Sequence, residues 1–405
     1  MSSVALLAEV IYTPERRIEN GCVLIEGRSI RAVGKRTEIA IPPACQTYEL
    51  GNDILVPGFV DVHVHGAGGR DVMEAGREAL AAIGQTLRRH GTTAYLATTV
   101  TAPVDETLRV LEALSVAIKA TRAEASSLQA TPIGIHLEGP FINPLQRGTH
   151  PAEFIQAPSA VLLRKMLEAA DGEIKLLTMA PEMEGADDLI NLGKEFGVVV
   201  AMGHSAATYA QARRAIDRGA RHAAHLFNAM RPFHHREPGI VGAVLTHEDI
   251  TAELIADGIH VDSAALRLAV RAKGSNRVIL VSDGTSATGM PDGNYQLGPI
   301  PLTVQDGICR NPEGKLAGSV LTLDQAIRNV MALGEFELPD VLAMATSNPA
   351  RLVGVEGKKG AIVPGADADL VWLDSNLQVR ATMVDGQMQV SGTAVLAGAP
   401  PPGGL

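Results

Sequence analysis

The chain has 405 residues, 46% hydrophobic, 20% charged and 3% aromatic, with a net charge of −10. That length suits one large domain plus a smaller one, and the composition is that of a globular protein whose core rests on Leu, Val, Ile and Ala. The acidic balance argues against nucleic-acid or membrane-surface binding, so an anionic substrate would need a local basic cluster.

The first 55 residues read as short strands and turns, VALLAEVIYT, CVLIEG and SIRAVGK, broken at Pro42 and Pro43. The apolar stretch from Val4 to Ile11 contains a glutamate and has no basic lead-in. It is therefore expected to be neither a signal peptide nor a membrane span. The same β texture returns after about residue 356, in GAIVPGADADLVWLD and VRATMVDGQMQV. Residues 1–55 and 357–405 are accordingly expected to form one small β-sandwich domain, with a mobile PPGGL tail. Three widely spaced cysteines, Cys22, Cys45 and Cys309, read as reduced thiols of a cytoplasmic protein.

Residues 56–356 alternate eight apolar runs with amphipathic helical stretches. The runs are GFVDVHVH, TAYLATT, IGIHLEG, IKLLTMA, VVVAMGH, HAAHLF, TAELIAD and VILVSDG, and REALAAIGQTLRRH and YAQARRAIDRG are two of the helices. This pattern predicts an α/β fold, a (β/α)8 TIM-like barrel. A doubly wound sheet is the competing architecture, but no Gly-rich phosphate loop follows the first strand. The Gly/Pro-rich stretch from Thr285 to Val320 reads as a lid or substrate loop. LTLDQAIRNVMAL and LPDVLAMATSNPARL are expected to close the barrel.

Chemistry concentrates at the strand ends. His63 and His65 end strand one, Glu138 strand three, His204 strand five, His225 strand six and Asp283 strand eight. A two-residue step on a pleated strand points His63 and His65 to the same side. Each residue alone is unremarkable; their joint placement on the rim where barrel active sites form points to a divalent metal and activated water. Neutral imidazole with carboxylate suits zinc or iron(II). Downstream of His225 lies a basic loop with Arg231, His234, His235 and Arg236. On composition it is a solvated loop, but its place after a ligand-bearing strand suits phosphate recognition. His260 sits where it would join that loop, and His150 where it would make a polar contact near the metal. His90, His222 and His247 lack ligand-like placement, His136 and Glu182 lie near the rim without an assignment, and Trp372 is expected in the core of the small domain.

In this order, PGFVDVHVHGAGG, HLEGPF, GTHP, GHSAAT, HLFNAM, REPG, ADGIHVD, VSDG and KLAGS resemble the N-acetylglucosamine-6-phosphate deacetylase family of the amidohydrolase superfamily. The likeness spans about residues 50 to 355. It implies hydrolysis of the acetamide of N-acetylglucosamine 6-phosphate to glucosamine 6-phosphate and acetate. It also implies a main metal on Glu138, His204 and His225, and an HxH motif that can bind a second on His63 and His65 with Glu138 bridging, so one or two divalent ions, zinc being the first choice on ligand chemistry. By the same likeness Asp283 would be general base and then acid, and His150 would stabilise the oxyanion. Thr149, Asn228, Ala229, Leu316, Ala317 and Gly318 would contact substrate. Arg236 and His260 would bind its phosphate, Arg236 reaching in from a neighbouring subunit of a homodimer. The competing readings are the N-acetylgalactosamine 6-phosphate deacetylase, a D-aminoacylase or dihydroorotase-like amidohydrolase, and a non-catalytic sugar-phosphate sensor.

Overall fold

The computed structural model describes residues 3–124 and 128–390, so the PPGGL tail lies outside the described residues. Eight parallel strands pair in sequence order. They are Phe59–Val64, Thr92–Thr99, Thr131–Glu138, Ile174–Met179, Val199–Met202, His222–Ala223, Thr251–Leu254 and Val278–Leu280, here called barrel strands one to eight. Strands one and eight share no regular ladder. Their C-terminal extensions close the ring through a parallel bridge of Val64 with Gly284 and through the Asp283 N–H, which donates to the His63 carbonyl at 3.0 Å. The closure thus falls on the segments that carry His63, His65 and Asp283.

Barrel strands one to three are buried along their whole length, as strands covered on both faces must be. Helices cover the outside by their apolar stripes. The helix Arg77–Arg89 buries Leu80, Ile83 and Leu87, spaced three and four residues apart. The helix Tyr209–Arg218, after strand five, starts on a capping box in which Thr208 and Gln211 satisfy each other's backbone N–H groups. The closing helical segment is split by Thr346 into Leu338–Ala345 and Ser347–Leu352.

Both chain ends meet in one eight-stranded sheet, in which Leu370–Leu373 pairs antiparallel with Ile54–Pro57. Its far strand, Ser29–Lys35, bridges Asp367 and returns to the opposite end, so the sheet wraps a core of Leu6, Val23, Ile25, Leu55 and Met383 with Trp372 fully buried among them. Arg88, at the end of the first barrel helix, is fully buried and donates to the Thr382 carbonyl at 3.4 Å and to that of Gln387. It joins this sheet to the barrel.

The Thr285–Val320 stretch is structured. Gly293–Leu297, Ile300–Gln305 and Ile308–Arg310 form a three-stranded antiparallel sheet. Leu297, Ile300, Leu302 and Ala317 pack on Val100 at the end of barrel strand two. The Gly298 N–H donates to the Asp71 carboxylate at 2.9 Å, a second anchor to the barrel.

Candidate active site

Glu138 lies at the centre of the barrel mouth, buried, with five imidazoles around its carboxylate. Oε1 is 3.4 Å from His63 Nε2, 3.2 Å from His204 Nε2 and 3.0 Å from His225 Nε2. Oε2 is 3.3 Å from both His65 Nε2 and His150 Nε2. Asp283 closes the ring, its Oδ1 at 3.3 Å from His65 Nε2 and 3.6 Å from His63 Nε2.

The outer nitrogens say which imidazoles offer lone pairs. His63 Nδ1 donates to Glu253 at 2.9 Å, His204 Nδ1 to the Gln146 carbonyl at 2.9 Å, and His225 Nδ1 to the Asn228 carbonyl at 3.2 Å. With hydrogens fixed there, the three Nε2 atoms of the neutral rings face Glu138 Oε1 as lone pairs against a carboxylate, an arrangement made favourable by a cation between them or by further protons on the rings. His63 Nε2 has no hydrogen-bond partner among the described residues, as a ligand atom would not. His150 is the opposite tautomer. Its Nδ1 accepts the Thr101 N–H at 3.3 Å and lies 2.8 Å from the Thr101 hydroxyl, so its hydrogen sits on Nε2, directed at Glu138 Oε2. Geometry groups His63, His65 and Glu138 as one candidate metal set and Glu138, His150 and His204 as another. The tautomers favour His225 over His150 as partner of Glu138 and His204, because an N–H cannot be a ligand.

Burial would raise the Glu138 carboxyl, but in the ion-free site the charge of a protonated His63 and the hydrogen bond from His150 hold it well below the usual range. Burial lowers His204 to about 4, with Glu138 opposing. For His65 burial also works downward, but hydrogen bonds to Asp283 and Glu138 win and raise it to about 9.

The backbone presents these side chains at a cost. His204 at φ 46°, His225 at φ 26° and Asp283 at φ 49° all lie in the left-handed region, which non-glycine residues seldom occupy except at functional sites. Gly139, at φ 74°, follows Glu138; a Cβ there would stand 2.3 Å from Thr101 Oγ1, the hydroxyl beside His150.

A cavity of about 160 Å³ opens over Glu138, lined by His65, His150, His204, His225 and Asp283. Thr149, Asn228, Ala229, His260, Leu316 and Gly318 complete its wall, with Leu297 from the three-stranded sheet. Ala317 is buried beneath the wall. Arg236 does not line this cavity; it is exposed, and its guanidinium lies 3.0 Å from His235 Nε2. His260 is fixed at the rim by Asp257, whose Oδ2 accepts from Nδ1 at 2.6 Å.

Sequence reasoning missed Glu253 and set His222 aside. Glu253, on strand seven, is fully buried and accepts from His63 Nδ1, from the His225 N–H at 3.0 Å and from His222 Nε2 at 2.9 Å. The available signal was a glutamate inside the apolar run TAELIAD, since a carboxylate rarely enters a core unpaired. His136 lies inside the barrel between Thr98 and Thr178, its ring 4.5 Å from that of His63. Glu182 accepts from Asn143 at 2.8 Å, Ser205 at 2.7 Å and the Ala206 N–H at 2.6 Å, tying the loops after strands three and five on either side of His204. Among the described residues, no helix is long and apolar enough to cross a membrane.

With this geometry in hand, likeness to known proteins is informative. The amidohydrolase family matches residues 54–389. An N-acetylglucosamine-6-phosphate deacetylase of Bacillus subtilis is 37% identical over 391 residues, 96% of this chain and 98% of the relative. An N-acetylgalactosamine-6-phosphate deacetylase of Escherichia coli O157:H7 is 38% identical over 336 residues, 83% of this chain and 88% of the relative. The crystal structure of N-acetyl-D-glucosamine-6-phosphate deacetylase from Mycobacterium smegmatis superposes with a TM-score of 0.88 at 36% identity, over 96% of this chain and all of that one. The chain belongs to the amidohydrolase family, and it is built like the N-acetylglucosamine-6-phosphate deacetylases of that family.

Proposed function

We propose that this protein hydrolyses the acetamide of N-acetylglucosamine 6-phosphate, giving glucosamine 6-phosphate and acetate. The observation that carries this reading is the set of Nε2 lone pairs of His63, His204 and His225 converging on one buried carboxylate, with Asp283 beside it. Glu138, His204 and His225 would hold the main divalent ion, and His63 and His65 a second bridged by Glu138, with zinc the first choice. Such an ion supplies Lewis-acid polarisation of the amide carbonyl and a lowered pKa for water.

The chain's own residues carry the remaining steps. Asp283 accepts the proton of the attacking water and returns it to the nitrogen as the C–N bond breaks, which releases the sugar as a free amine. The Nε2–H of His150 points into the cavity, where it suits the developing oxyanion. Thr149, Asn228, Ala229, Leu316, Ala317 and Gly318 shape the sugar's surroundings. His260 receives the phosphate together with Arg236 supplied by a neighbouring subunit, a role that its exposed position outside its own cavity allows. A homodimer follows from that reading, the sparse free cysteines favour the cytoplasm, and the working division is a barrel of residues 56–356 carried by the 1–55 and 357–405 segments.

The E. coli relative supports a second reading, deacetylation of N-acetylgalactosamine 6-phosphate, which differs in the C4 hydroxyl. Acetate release from the two phosphorylated sugars, assayed side by side with zinc present, decides between them. Faster turnover of the gluco sugar is expected; a preference for the galacto sugar reverses the assignment, and no release from either refutes both.

A further inference from the structure

Glu253 does not line the cavity over Glu138, yet it touches parts of the site that are far apart in sequence. Its Oε2 accepts both the Nδ1–H of His63 at 2.9 Å and the backbone N–H of His225 at 3.0 Å. Its Oε1 accepts from His222 Nε2 at 2.9 Å, and His222 is braced in turn by the Thr251 hydroxyl at 2.7 Å. Its own carbonyl accepts the Leu226 N–H at 2.9 Å, so strand seven grips the turn at His225 twice. That turn is the one held at φ 26°.

We infer that Glu253 is a positioning residue that couples the two metal positions, with His222 as its brace. The inference rests on the metal reading above. A carboxylate only accepts, so Glu253 fixes the His63 hydrogen on Nδ1 and leaves Nε2 free for an ion of the His63–His65 position. The same oxygen holds the left-handed backbone that aims His225 at the Glu138–His204 position. Leucine in its place offers no acceptor. The His63 Nδ1–H and the His225 N–H, both held by the one oxygen Oε2, would lose their partner together, so that neither the His63 tautomer nor the backbone at His225 stays fixed.

The test is zinc content per chain after dialysis against graded zinc buffers, with the visible spectrum of the cobalt(II)-loaded protein as a second readout. Glu253→Leu is expected to lose the ion at the His63–His65 position and to weaken the other by about 10- to 100-fold, the usual range for groups that orient metal ligands, with a shifted cobalt spectrum. Should Glu253→Leu not fold, His222→Leu and His222→Gln take its place. Leu removes the brace and should weaken both positions; Gln restores a donor and should recover most of the loss. Parent-like uptake at both positions by Glu253→Leu, or by His222→Leu, overturns the inference. So does a loss confined to the His63–His65 position, or a parent that takes up a single ion. A parent that binds no zinc overturns the metal reading itself, and the coupling with it.

Discussion

Two buried ionic clusters divide this molecule. At the barrel mouth, Glu138 and Asp283 face five imidazoles, with no Lys or Arg among the residues lining the cavity. Where the terminal sheet meets the segment before it, Lys359 Nζ lies 2.7 Å from Asp369, 3.0 Å from Asp367 and 3.6 Å from Asp385, and Arg28 pairs with Asp385 from outside. Burial disfavours the Lys359 charge, but the carboxylates of Asp369, Asp385 and Asp367 win and hold its pKa above the usual lysine value. The second cluster sets cations of its own, Lys359 and Arg28, against its three carboxylates and is a structural tie. The first is complete only with protons or an ion supplied from outside. Buried carboxylates signal function when the protein brings no lysine or arginine of its own to face them.

Substitutions and pH can break or sharpen that contrast. The largest effect is expected for Asp283→Asn, which should cut the rate of acetate release by about 10²- to 10⁴-fold, the range for a lost general acid–base, while zinc stays on Glu138, His204 and His225. Near-parent turnover would remove Asp283 from the chemistry. Lys359→Met should cost about 3–5 kcal/mol in urea unfolding, because it strands buried carboxylates, and the folded fraction should keep its activity. Equal loss of activity and stability would mean that the two clusters are not separate.

His65→Asn is expected to reduce zinc at the second position more than at the first. Unlike His63, His204 and His225, His65 has a buried Nδ1 without a partner among the described residues, so nothing braces it. Loss of all zinc would refute that asymmetry. The smallest effect is on pH dependence, and it runs in opposite directions for the two clusters. His65 is raised to about 9, so the metal-free site holds a proton that an ion must displace, and zinc uptake there should release protons and tighten as pH rises toward that value. Calorimetry in two buffers of different ionisation enthalpy reads this proton release; none would contradict it. The Lys359 contribution is fully present below its unfolded value of 10.5 and is lost only as pH rises through the higher folded one, so alkaline unfolding should be blunted in Lys359→Met.

How far the sequence reaches is clearest at particular residues. His63, His65, Glu138, His204, His225 and Asp283 are all legible as strand-end polar residues because each follows an apolar run, and the barrel brings every one of them to the same mouth. The Thr285–Val320 stretch reads as loop, whereas strands pair within it from 293 to 310 about a tight turn at Gly298 and Pro299, and their buried side packs on Val100. His222 lies one turn of chain from His225 and looks idle in sequence; it matters only through Glu253 on the neighbouring strand.

By itself the sequence determined the alternating α/β architecture and which side chains stand at the strand ends, because hydrophobic period and residue type are local properties. Only the tertiary structure decided which nitrogen of each imidazole carries the hydrogen. That depends on acceptors such as the Gln146 carbonyl for His204 and Glu253 for His63, the latter 190 positions away in the chain. It also set His150 apart as a donor through Thr101 and put Arg236 outside its own cavity. Residue type is written along one strand, whereas the orientation of each imidazole is set by acceptors that other strands and loops bring alongside it.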